Sequence, residues 1–499
     1  MLKSFFAKIY ANQVSKKVYQ WAAKPIETQD KVFRNLIFQA KNTAFGKDHQ
    51  FENIKTYNDF KSKVPIRDYE ALKSYVERVK AGEKDILWLG KPIYFAKTSG
   101  TTSGAKYIPI TKESMPYQIA AAKEALLLYI AETGNADFVD GKMIFLQGSP
   151  EIDDTDFIKT GRLSGIVAHY VPKYLQKNRM PSWNTNCIDD WETKVNAVVE
   201  ETVVEDMRLI SGIPSWVQMY FEKLIEKEGK PVSDIFPNFN LFVYGGVNYE
   251  PYRQNMEGLI GKKVDSIELF PASEGFFAYQ DKQNKTNKKL GMLLLLNSGI
   301  FYEFIPAAEF FEETPTRITI ENVKLGVNYV MIISTNAGLW AYNIGDTIEF
   351  TSIKPFRIIV TGRIKHFISA FGEHVIAKEV EEALQEVIFD TDIKINEFTV
   401  APQVNPLDGE LPYHEWFIEF DKTPEDLIEL AKKVDLVMQK QNSYYLDLLE
   451  GKILQTLKIR AVIKGGFKTY MKSVGKLGGQ NKIPRLANDR KIADKLLIE

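Results

Sequence analysis

The spacing of apolar residues predicts helices up to about residue 85 and a mixture of strands and helices after it. The run from Asp68 to Lys80 repeats its apolar positions at helical spacing, and Asp68 is suited to cap the first turn. From Ile93 onward, strand-like runs such as MIFLQ at Met143 alternate with helical runs. This alternation predicts an α/β domain with largely parallel strands.

The last third of the chain has the pattern of a second, smaller domain. A β-rich stretch ends near Val360. After Gly362 the pattern is strand, helix, two strands, helix and strand, which is the order of a small α+β domain. We therefore expect an α/β fold with a large N-terminal domain over residues 1–361 and a small C-terminal α+β domain over residues 362–499.

The charges of the 499-residue chain balance, so any anion must be bound by a local site. Lys and Arg number 64 and Asp and Glu number 65, and this balance gives no overall field that would favour nucleic acid. Cys187 is the only cysteine, which excludes a disulfide within the chain and a multi-cysteine metal site. A reducing compartment fits best, and we expect a monomeric, cytoplasmic protein.

No segment predicts a helix that crosses a membrane. The most apolar stretch, which begins at Gly291, is interrupted by polar residues and predicts buried strands. The N-terminal run has lysines on one side and Phe5, Phe6, Ile9 and Tyr10 on the other, without the features of a signal peptide. We interpret it as an amphipathic helix docked on the protein rather than as a membrane anchor.

The stretch KTSGTTSGAKYIPIT, which begins at Lys97, has the composition of a polyphosphate-binding loop. Seven small residues follow the predicted strand PIYFA: Thr98, Ser99, Gly100, Thr101, Thr102, Ser103 and Gly104. Glycines let a backbone approach a ligand closely, hydroxyl and amide groups donate to phosphate oxygens, and Lys106 adds a point charge. The spacing excludes a Walker loop. Composition alone fits a flexible polar turn equally well.

The loop resembles the phosphate loop of the adenylate-forming superfamily, which includes acyl-CoA synthetases, peptide-synthetase adenylation domains and luciferases. Three further segments resemble superfamily motifs in the same order: LFPASEG from Leu269, YNIGDTIEF from Tyr342 and TGRIKHFISAFGEHVIAKEVE from Thr361. The last resembles the hinge and first strand of a mobile C-terminal domain. The resemblance thus implies a large adenylate-forming N-terminal domain, a small mobile C-terminal domain, and ATP with Mg²⁺ as cofactors.

Within this superfamily the chain resembles most the acyl-acid amido synthetases, whose auxin-responsive plant members conjugate indole-acetate, jasmonate or benzoates to amino acids. The similar blocks are GIFYEFIP from Gly299, VKLGVNYVMIISTNAGLWAYNIGD from Val323 and GQNKIPRL from Gly479. The chain departs from the plant pattern at Ala341 and Asn343, where plant members carry arginines, and at His374, where they carry a lysine. These departures leave the acid and the amine open.

The resemblance implies that the segment LFPASEG contacts the nucleotide base and the metal, and the sheet pattern adds a pair of glycines. Phe270 would lie against adenine, and Glu274 would meet Mg²⁺, with Ser273 between them. Magnesium favours oxygen ligands, and such an ion would give a carboxylate after an apolar run the partner it needs. Gly245 and Gly246 end a predicted strand where an α/β sheet places its ligands. The alternatives are core packing for Phe270 and a turn for the two glycines.

Four more residues take roles from the resemblance. Asp346 would hold the ribose hydroxyls, although Gly-Asp is also typical of a hairpin turn. Arg363 would move between domains at the hinge, or cap a helix. Lys106 and Lys482 would face the phosphates, and Lys482 without the resemblance would be interpreted as a solvated lysine.

The expected chemistry is activation of a small carboxylic acid as its acyl-adenylate, followed by transfer to an amino acid or another amine. The same first half-reaction with a thiol acceptor would make an acyl-CoA ligase. A non-catalytic nucleotide-binding protein is the third possibility, and the complete set of motif residues argues against it. Neither nucleic acid nor a membrane is expected as a partner.

Overall fold

The computed structural model of the chain describes residues 2–98, 105–154, 156–171, 176–283, 290–364, 367–368, 375–406, 410–478, 481–487 and 489–498. The chain forms two compact units. The first unit comprises Met1–Ile213, Ser233–Gly246 and Val264–Ile359, and the second comprises Pro214–Val232, Val247–Lys263 and Val360–Glu499. The chain therefore enters the second unit twice before it reaches the expected boundary at residues 361 and 362, which stays a prediction.

Most strands of the first unit belong to one large sheet. In chain order the strands of the first unit are β1 (Tyr94–Thr98), β2 (Lys106–Ile110), β3 (Lys142–Phe145), β4 (Ile152–Asp153), β5 (Lys159–Gly161), β6 (Arg179–Met180), β7 (Met207–Ser211), β8 (Leu241–Gly245), β9 (Asp265–Ala272), β10 (Gly275–Tyr279), β11 (Met292–Leu294), β12 (Ile300–Pro306), β13 (Ile318–Thr319), β14 (Asn328–Thr335), β15 (Tyr342–Ile353) and β16 (Phe356–Arg363). Twelve of these form a sheet in the order β13-β12-β14-β15-β16-β11-β10-β9-β8-β7-β3-β6, and a smaller sheet has the order β2-β1-β5-β4.

The large sheet is parallel at one end and antiparallel at the other. Strands β6, β3, β7, β8 and β9 pair in parallel. From β9 onward the pairs among β9, β10, β11 and β16, and among β13, β12, β14 and β15, are antiparallel. Parallel neighbours need a long crossover, and helices supply it in the first half, whereas β9 and β10 are joined by two residues. The expected parallel arrangement thus describes only the half of the sheet that precedes Ala272.

The helices of the first unit include those that the apolar spacing predicts before residue 85. The helices of this unit are α1 (Leu2–Ala22), α2 (Pro25–Ala40), α3 (Ala44–Asp48), α4 (Tyr57–Lys63), α5 (Tyr69–Lys80), α6 (Met115–Thr133), α7 (Leu163–Ala168), α8 (Trp183–Asn186) and α9 (Trp191–Thr202). The Asp68 carboxylate accepts a hydrogen bond from the Ala71 amide, so the expected cap of α5 is confirmed. α6 ends at Gly134, whose φ of 72° is favourable for glycine.

The N-terminal helix docks on the first unit, but not through its aromatic face. Ala11, Val18 and Ala22 share one face and are buried in the same apolar cluster as residues of α6. Phe5 and Phe6 lie on another face and are 60% and 61% exposed. The small residues allow the two helices to approach closely, and the aromatic residues stay at the surface. Among the described residues, no helix is long and apolar enough to cross a membrane.

The second unit is built on a three-stranded sheet. Its later elements are β17 (Phe367–Ile368), β18 (Val375–Ile376), α13 (Ala377–Ile388), β19 (Ile395–Gln403), β20 (Tyr413–Phe420), α14 (Leu427–Gln441), α15 (Ser443–Glu450), β21 (Lys458–Val462) and α16 (Gly466–Ser473). The sheet order is β19-β20-β21. The predicted helix, two strands, helix and strand are present as α13, β19, β20, α14 and β21, and the structure adds the short strand β18 and the helices α15 and α16. The earlier helices α10 (Pro214–Glu228) and α12 (Glu250–Ile260) also belong to this unit, while α11 (Val232–Ile235) lies at a passage between the units.

Candidate active site

Thr98 and Lys106 stand at the base of the glycine- and hydroxyl-rich loop. They end β1 and begin β2, and they are direct partners in this antiparallel pair. The loop residues Ser99 to Gly104 lie outside the described residues. Because directly opposite residues of a pair project to the same face, the side chains of Thr98 and Lys106 share one face, and Lys97 lies on the other. The expected strand before the loop is confirmed.

Tyr69, the first residue of α5, supports the strand that carries Lys106. Its hydroxyl accepts a hydrogen bond of 3.0 Å from the Tyr107 amide. The Lys106 Nζ atom lies 5.8 Å from the centre of the Tyr69 ring, at a distance where a cation is attracted to the ring face. Tyr69 is buried. No sequence motif marks Tyr69 as part of the site, and its only signal is its place directly after the capping Asp68.

Ser273 and Glu274 form the two-residue turn of the hairpin between β9 and β10. Ala272 and Gly275 pair directly on either side of the turn. From α6, the Gln118 side-chain amide donates a hydrogen bond of 3.1 Å to the Ala272 carbonyl. A two-residue hairpin turn has little conformational freedom. The Glu274 carboxylate is therefore presented at a rigid tip, and Gln118, which the sequence analysis missed, anchors that tip to α6.

The hairpin turn and the end of β2 line one cleft of the first unit. The cleft residues include Pro109, Ile110, Ser114, Tyr117, Gln118, Ser273, Glu274, Thr335 and Asn336. Two hydrogen bonds fix the Asn336 side of the cleft: the Thr111 hydroxyl donates to the Asn336 carbonyl at 2.8 Å, and the Asn336 side-chain amide donates to the Glu113 carbonyl at 3.1 Å. The structure therefore brings the strand after the phosphate loop and the Glu274 turn to a common surface.

Asp346 lies in a bulge inside β15 and not in a hairpin turn. Val330 pairs with Thr347 and Ile332 with Asn343, so three residues of β15 oppose one residue of β14. Gly345 has a φ of 88°, and its amide donates to the Asn343 side chain at 2.8 Å. The turn interpretation of Gly-Asp is wrong. A bulge redirects a side chain relative to the regular strand and is common beside active sites.

β15 is three strands away from β10 in the sheet. At the usual spacing between strands, this separates the Asp346 and Glu274 strands by roughly 14 Å. The two acids would therefore serve different parts of any nucleotide that contacts both. Of the departures from the plant pattern, Asn343 forms the bulge, Ala341 is fully buried, and His374 lies outside the described residues.

Gly245 is required for the packing of two parallel strands. It ends β8 and pairs with Leu269 of β9, and a Cβ atom at Gly245 would come within 2.5 Å of the Leu269 carbonyl oxygen. Gly246 follows with a φ of 85°. The neighbouring Phe270 is buried and makes an edge-to-face contact with Phe277, with ring centres 5.1 Å apart. The packing interpretation of Phe270 is therefore correct in this structure, and a contact with adenine stays a prediction.

Arg363 and Lys482 belong to the second unit. Arg363 is exposed and is the last residue of β16, which passes from one unit to the other between Ile359 and Val360. Lys482 is exposed in the segment of residues 481–487, between the described elements and the C-terminus. Both side chains take part in interactions within the structure. Their roles in catalysis stay predictions.

The described residues suit a magnesium ion that is shared with a ligand. They contain no group of three or more His, Cys, Asp or Glu side chains that would hold a metal alone. Mg²⁺ in nucleotide sites is usually bound through one or two carboxylates together with phosphate oxygens. The single Glu274 carboxylate at a hairpin tip fits that second kind of site.

A buried lysine lies beyond the carboxyl end of β3. Lys194 of α9 donates to the carbonyl oxygens of Gln147 and Asn186 at 3.1 and 2.5 Å. Burial lowers the pKa of its ammonium group to about 8. Two main-chain acceptors match the two N–H groups of a neutral amine, so the site tolerates loss of the charge.

Comparison with protein families matches three successive segments of the chain to one family. The GH3 family N-terminal domain matches residues 14–197, its central domain residues 293–363 and its C-terminal domain residues 374–491. The chain belongs to the GH3 family. The glycine- and hydroxyl-rich loop lies in the segment that matches the N-terminal domain. Asp346 and Arg363 lie in the central segment, and Lys482 lies in the C-terminal segment. Glu274 lies between the N-terminal and central segments.

Curated relatives of this GH3 chain are amido synthetases of plants. The jasmonoyl–L-amino acid synthetase JAR4 of Nicotiana attenuata is 22% identical over 504 residues, which cover 85% of each chain. The indole-3-acetic acid-amido synthetase GH3.3 of Arabidopsis thaliana is 20% identical and covers 92% of this chain and 88% of its own. The resemblance to acyl-acid amido synthetases is thus confirmed, as is the expected class of ATP-dependent acid–amino acid ligase for the family.

Solved structures share the fold. The GH3.15 acyl acid amido synthetase superposes with a TM-score of 0.79 at 14% identity, covering 98% of this chain and 97% of that one. A 2-hydroxyisobutyryl-CoA ligase in the postadenylation state has a TM-score of 0.55 at 12% identity, with coverage of 97% and 90%. The expected fold class, an α/β adenylate-forming domain with a smaller α+β C-terminal domain, is confirmed.

Proposed function

We propose that the chain adenylates a small carboxylic acid with ATP and transfers the acyl group to an amino acid or another amine. A carboxylate resists attack by an amine because it is anionic and its leaving group is poor. Replacing one carboxylate oxygen with AMP supplies a better leaving group and releases pyrophosphate. Membership of the GH3 family and the amido synthetase fold support this reaction.

The observation that carries the proposal is that the end of β2, the strand that begins at Lys106, and the Ser273-Glu274 turn line one small crevice. The loop of residues 98–104 and the Lys106 ammonium would bind the β- and γ-phosphates from the β2 side. The Glu274 carboxylate would hold Mg²⁺ on the other side. The ion, when bound, would offset phosphate charge. Preorganised charges of this kind lower the activation barrier by on the order of 3 kcal/mol each.

The ribose and the adenine of the nucleotide would lie along the large sheet. Asp346 would accept hydrogen bonds from the ribose hydroxyls, because the bulge in β15 redirects its carboxylate. Gly245 and Gly246 would pass under the adenine, where the lack of side chains lets a flat ring approach the backbone. Phe270 would support this surface, since the ring is buried against Phe277.

The acid would bind beside α6, and the second unit would supply the remaining cation. The first turns of α6 line the cleft through Ser114 and Tyr117, so a small acyl group could reach the α-phosphate from there. Lys482 would stabilise charge on the α-phosphate during adenylation. The second step needs room for the acceptor, and rotation of the C-terminal domain near Arg363 would make it.

A pyrophosphate-release screen tests the proposal. Carboxylic acids would be crossed with amino acids and with CoA, and the products identified by mass. Acid-dependent pyrophosphate release followed by amide formation supports an amido synthetase. Thioester formation without amide formation would establish the alternative function, that of an acyl-CoA ligase. Absence of pyrophosphate release with every acid, in a protein that binds ATP, would support a non-catalytic nucleotide-binding protein.

Single-turnover kinetics tests the role of Lys482. Lys482→Ala should slow adenylation by roughly 10²–10³-fold, as expected for loss of one preorganised donor. Transfer from chemically made acyl-adenylate should stay unchanged, because Lys482 would act only before the acceptor enters. Equal losses in both steps would assign Lys482 a structural role. The monomeric state and the cytoplasmic location stay predictions, which mass measurement in solution and cell fractionation would check.

A further inference from the structure

The segment of residues 481–487 exposes one side chain and buries several others. Lys482 is exposed, whereas Ile483, Arg485 and Leu486 are buried. The main chain of the segment is attached to β19: the Val400 amide donates to the Arg485 carbonyl, and the Ala487 amide donates to the Val400 carbonyl, both at 2.9 Å. The position of Lys482 therefore depends on how firmly its buried neighbours are held.

Arg485 is held by charged and polar groups from three elements of the second unit. Its Nε donates to Glu381 of α13 at 3.2 Å. Its Nη1 donates to the Glu397 carboxylate and, at 3.1 Å, to the Phe398 carbonyl, both in β19. Its Nη2 donates to the Tyr252 hydroxyl of α12 at 2.5 Å. Every nitrogen of this guanidinium group has an acceptor.

Tyr252 closes this network. It is 2% exposed, and its hydroxyl both accepts from Arg485 and donates to the Glu397 carboxylate at 3.2 Å. Burial raises the pKa of Tyr252 well above its ordinary value, so the hydroxyl keeps the proton that it donates. The aromatic rings of Tyr252 and Phe398 also lie near the guanidinium carbon, at 5.4 and 4.5 Å. The planar group is thereby fixed in one orientation.

A buried arginine with an acceptor at each of its three nitrogens is sensitive to the loss of one acceptor. An N–H group left without an acceptor in the interior is costly, so the guanidinium group turns or moves to recover a partner. Arg485 is three residues from Lys482 in the chain. A shift of Arg485 would move the main chain that carries the lysine.

We propose that Arg485 and Tyr252 are positioning residues that set the place of Lys482 for adenylation. This rests on the proposed function of Lys482 at the α-phosphate. A displacement of about 1 Å of a catalytic group costs up to roughly 10²-fold in rate. The hydrogen bond between Tyr252 and Arg485 joins α12, a helix far from Lys482 in sequence, to the segment that carries the lysine.

The test compares two tyrosine variants of the full-length protein. Tyr252→Phe removes the hydroxyl that accepts from Arg485 and keeps the ring. Tyr445→Phe is the matched control, because it also removes a buried hydroxyl of the second unit, one that donates to Asp435 at 2.6 Å. Tyr252→Phe should slow single-turnover adenylation by roughly 10-fold. Transfer from chemically made acyl-adenylate should be unchanged, and Tyr445→Phe should change neither step.

A double-variant cycle separates positioning from a general loss of stability. In the Lys482→Ala background, Tyr252→Phe should cause no further loss of adenylation, because the group that it positions is already absent. An additive loss, or equal losses in both half-reactions, would overturn the proposal. Glu381→Gln, which removes a charged partner of Arg485, should give the same selective loss if Tyr252→Phe is too unstable to assay.

Two outcomes distinguish this proposal from the one on which it rests. If Lys482→Ala slows adenylation and neither Tyr252→Phe nor Glu381→Gln does, the positioning role is wrong and the role of Lys482 stands. If Lys482→Ala leaves adenylation unchanged, the proposed role of Lys482 is wrong, and the positioning role is wrong with it.

Discussion

Thr98 and Lys106 face each other across the antiparallel pair of β1 and β2, one at each end of the glycine- and hydroxyl-rich loop. The loop between them is therefore a hairpin connection with a hydroxyl and an ammonium group on the same face of its base. Closing around a ligand costs less conformational entropy for a loop with fixed ends than for a free segment. This geometry makes the base of the loop the first place to test ATP binding.

Lys106→Ala should weaken binding of ATP with Mg²⁺ by about 1.5–3 kcal/mol, the cost of losing one charge-assisted hydrogen bond. Lys97→Ala is the matched control, because Lys97 is exposed on the opposite face of the same pair. Isothermal titration of the two variants makes the comparison. Equal ATP affinity for Lys106→Ala and the native protein would remove Lys106 from the phosphate site.

Asp346→Ala should weaken ATP binding by removing the proposed acceptor of the ribose hydroxyls, and the loss of ATP affinity should exceed any loss of stability. Asn343→Ala gives the contrast: the Gly345 amide would lose its acceptor, and the free energy of unfolding should fall by about 1 kcal/mol. Titration with ATP and urea unfolding of both variants would show this division. A destabilised Asp346→Ala variant with native ATP affinity would assign Asp346 a structural role.

Gln118→Leu should raise the Mg²⁺ concentration needed for half-maximal pyrophosphate release, by about the several-fold that one neutral hydrogen bond represents. The substitution keeps the side-chain bulk and removes the bond that anchors the Ala272 carbonyl beside Glu274. Gln254→Leu is the control, since it removes a comparable bond to the Thr391 carbonyl in the second unit. An unchanged magnesium dependence would mean that the hairpin tip needs no support from α6.

Lys194 should make stability rise with pH above about 8. Its pKa is lowered to about 8 in the folded protein, while an unfolded lysine titrates near about 10.4. Between these values the unfolded chain binds more protons, so the free energy of unfolding increases with pH. Thermal unfolding of the native protein and of Lys194→Met across this window would measure the difference. Parallel pH profiles of the two proteins would contradict the assignment.

The local sequence pattern predicts the individual helices and strands of this protein better than it predicts which strands pair. The cap at Asp68, the strand before Thr98 and the helices and strands predicted after Val375 depend on neighbouring residues, and the structure has them. The turn alternative for Gly345-Asp346 is wrong, and the pattern allows it because a glycine of positive φ suits both a turn and a bulge. Only the partner strand β14 distinguishes the two, and it pairs through the register shift at Val330 and Ile332.

Support from distant segments could not be predicted from the sequence. Gln118 and the Ala272 carbonyl, like Tyr252 and Arg485, are far apart in the chain, and each is an ordinary residue in its local context. The inward face of α1 was misjudged for a related reason. Apolar residues occur on both of its faces, and small residues such as Ala11 are selected by the helix against which they pack.

The interleaving of the two units constrains the order in which a nascent chain can fold. α10 and α12 leave the ribosome before the second half of the first unit, but they pack on each other and α12 packs on β19, which is made much later. Domains usually fold from the N-terminus as each is completed. When synthesis has reached Ile359, these two helices are present but the rest of the second unit has not been made. Tyr252 of α12 therefore cannot form its hydrogen bond with Arg485 until the last segment of the chain has been synthesised.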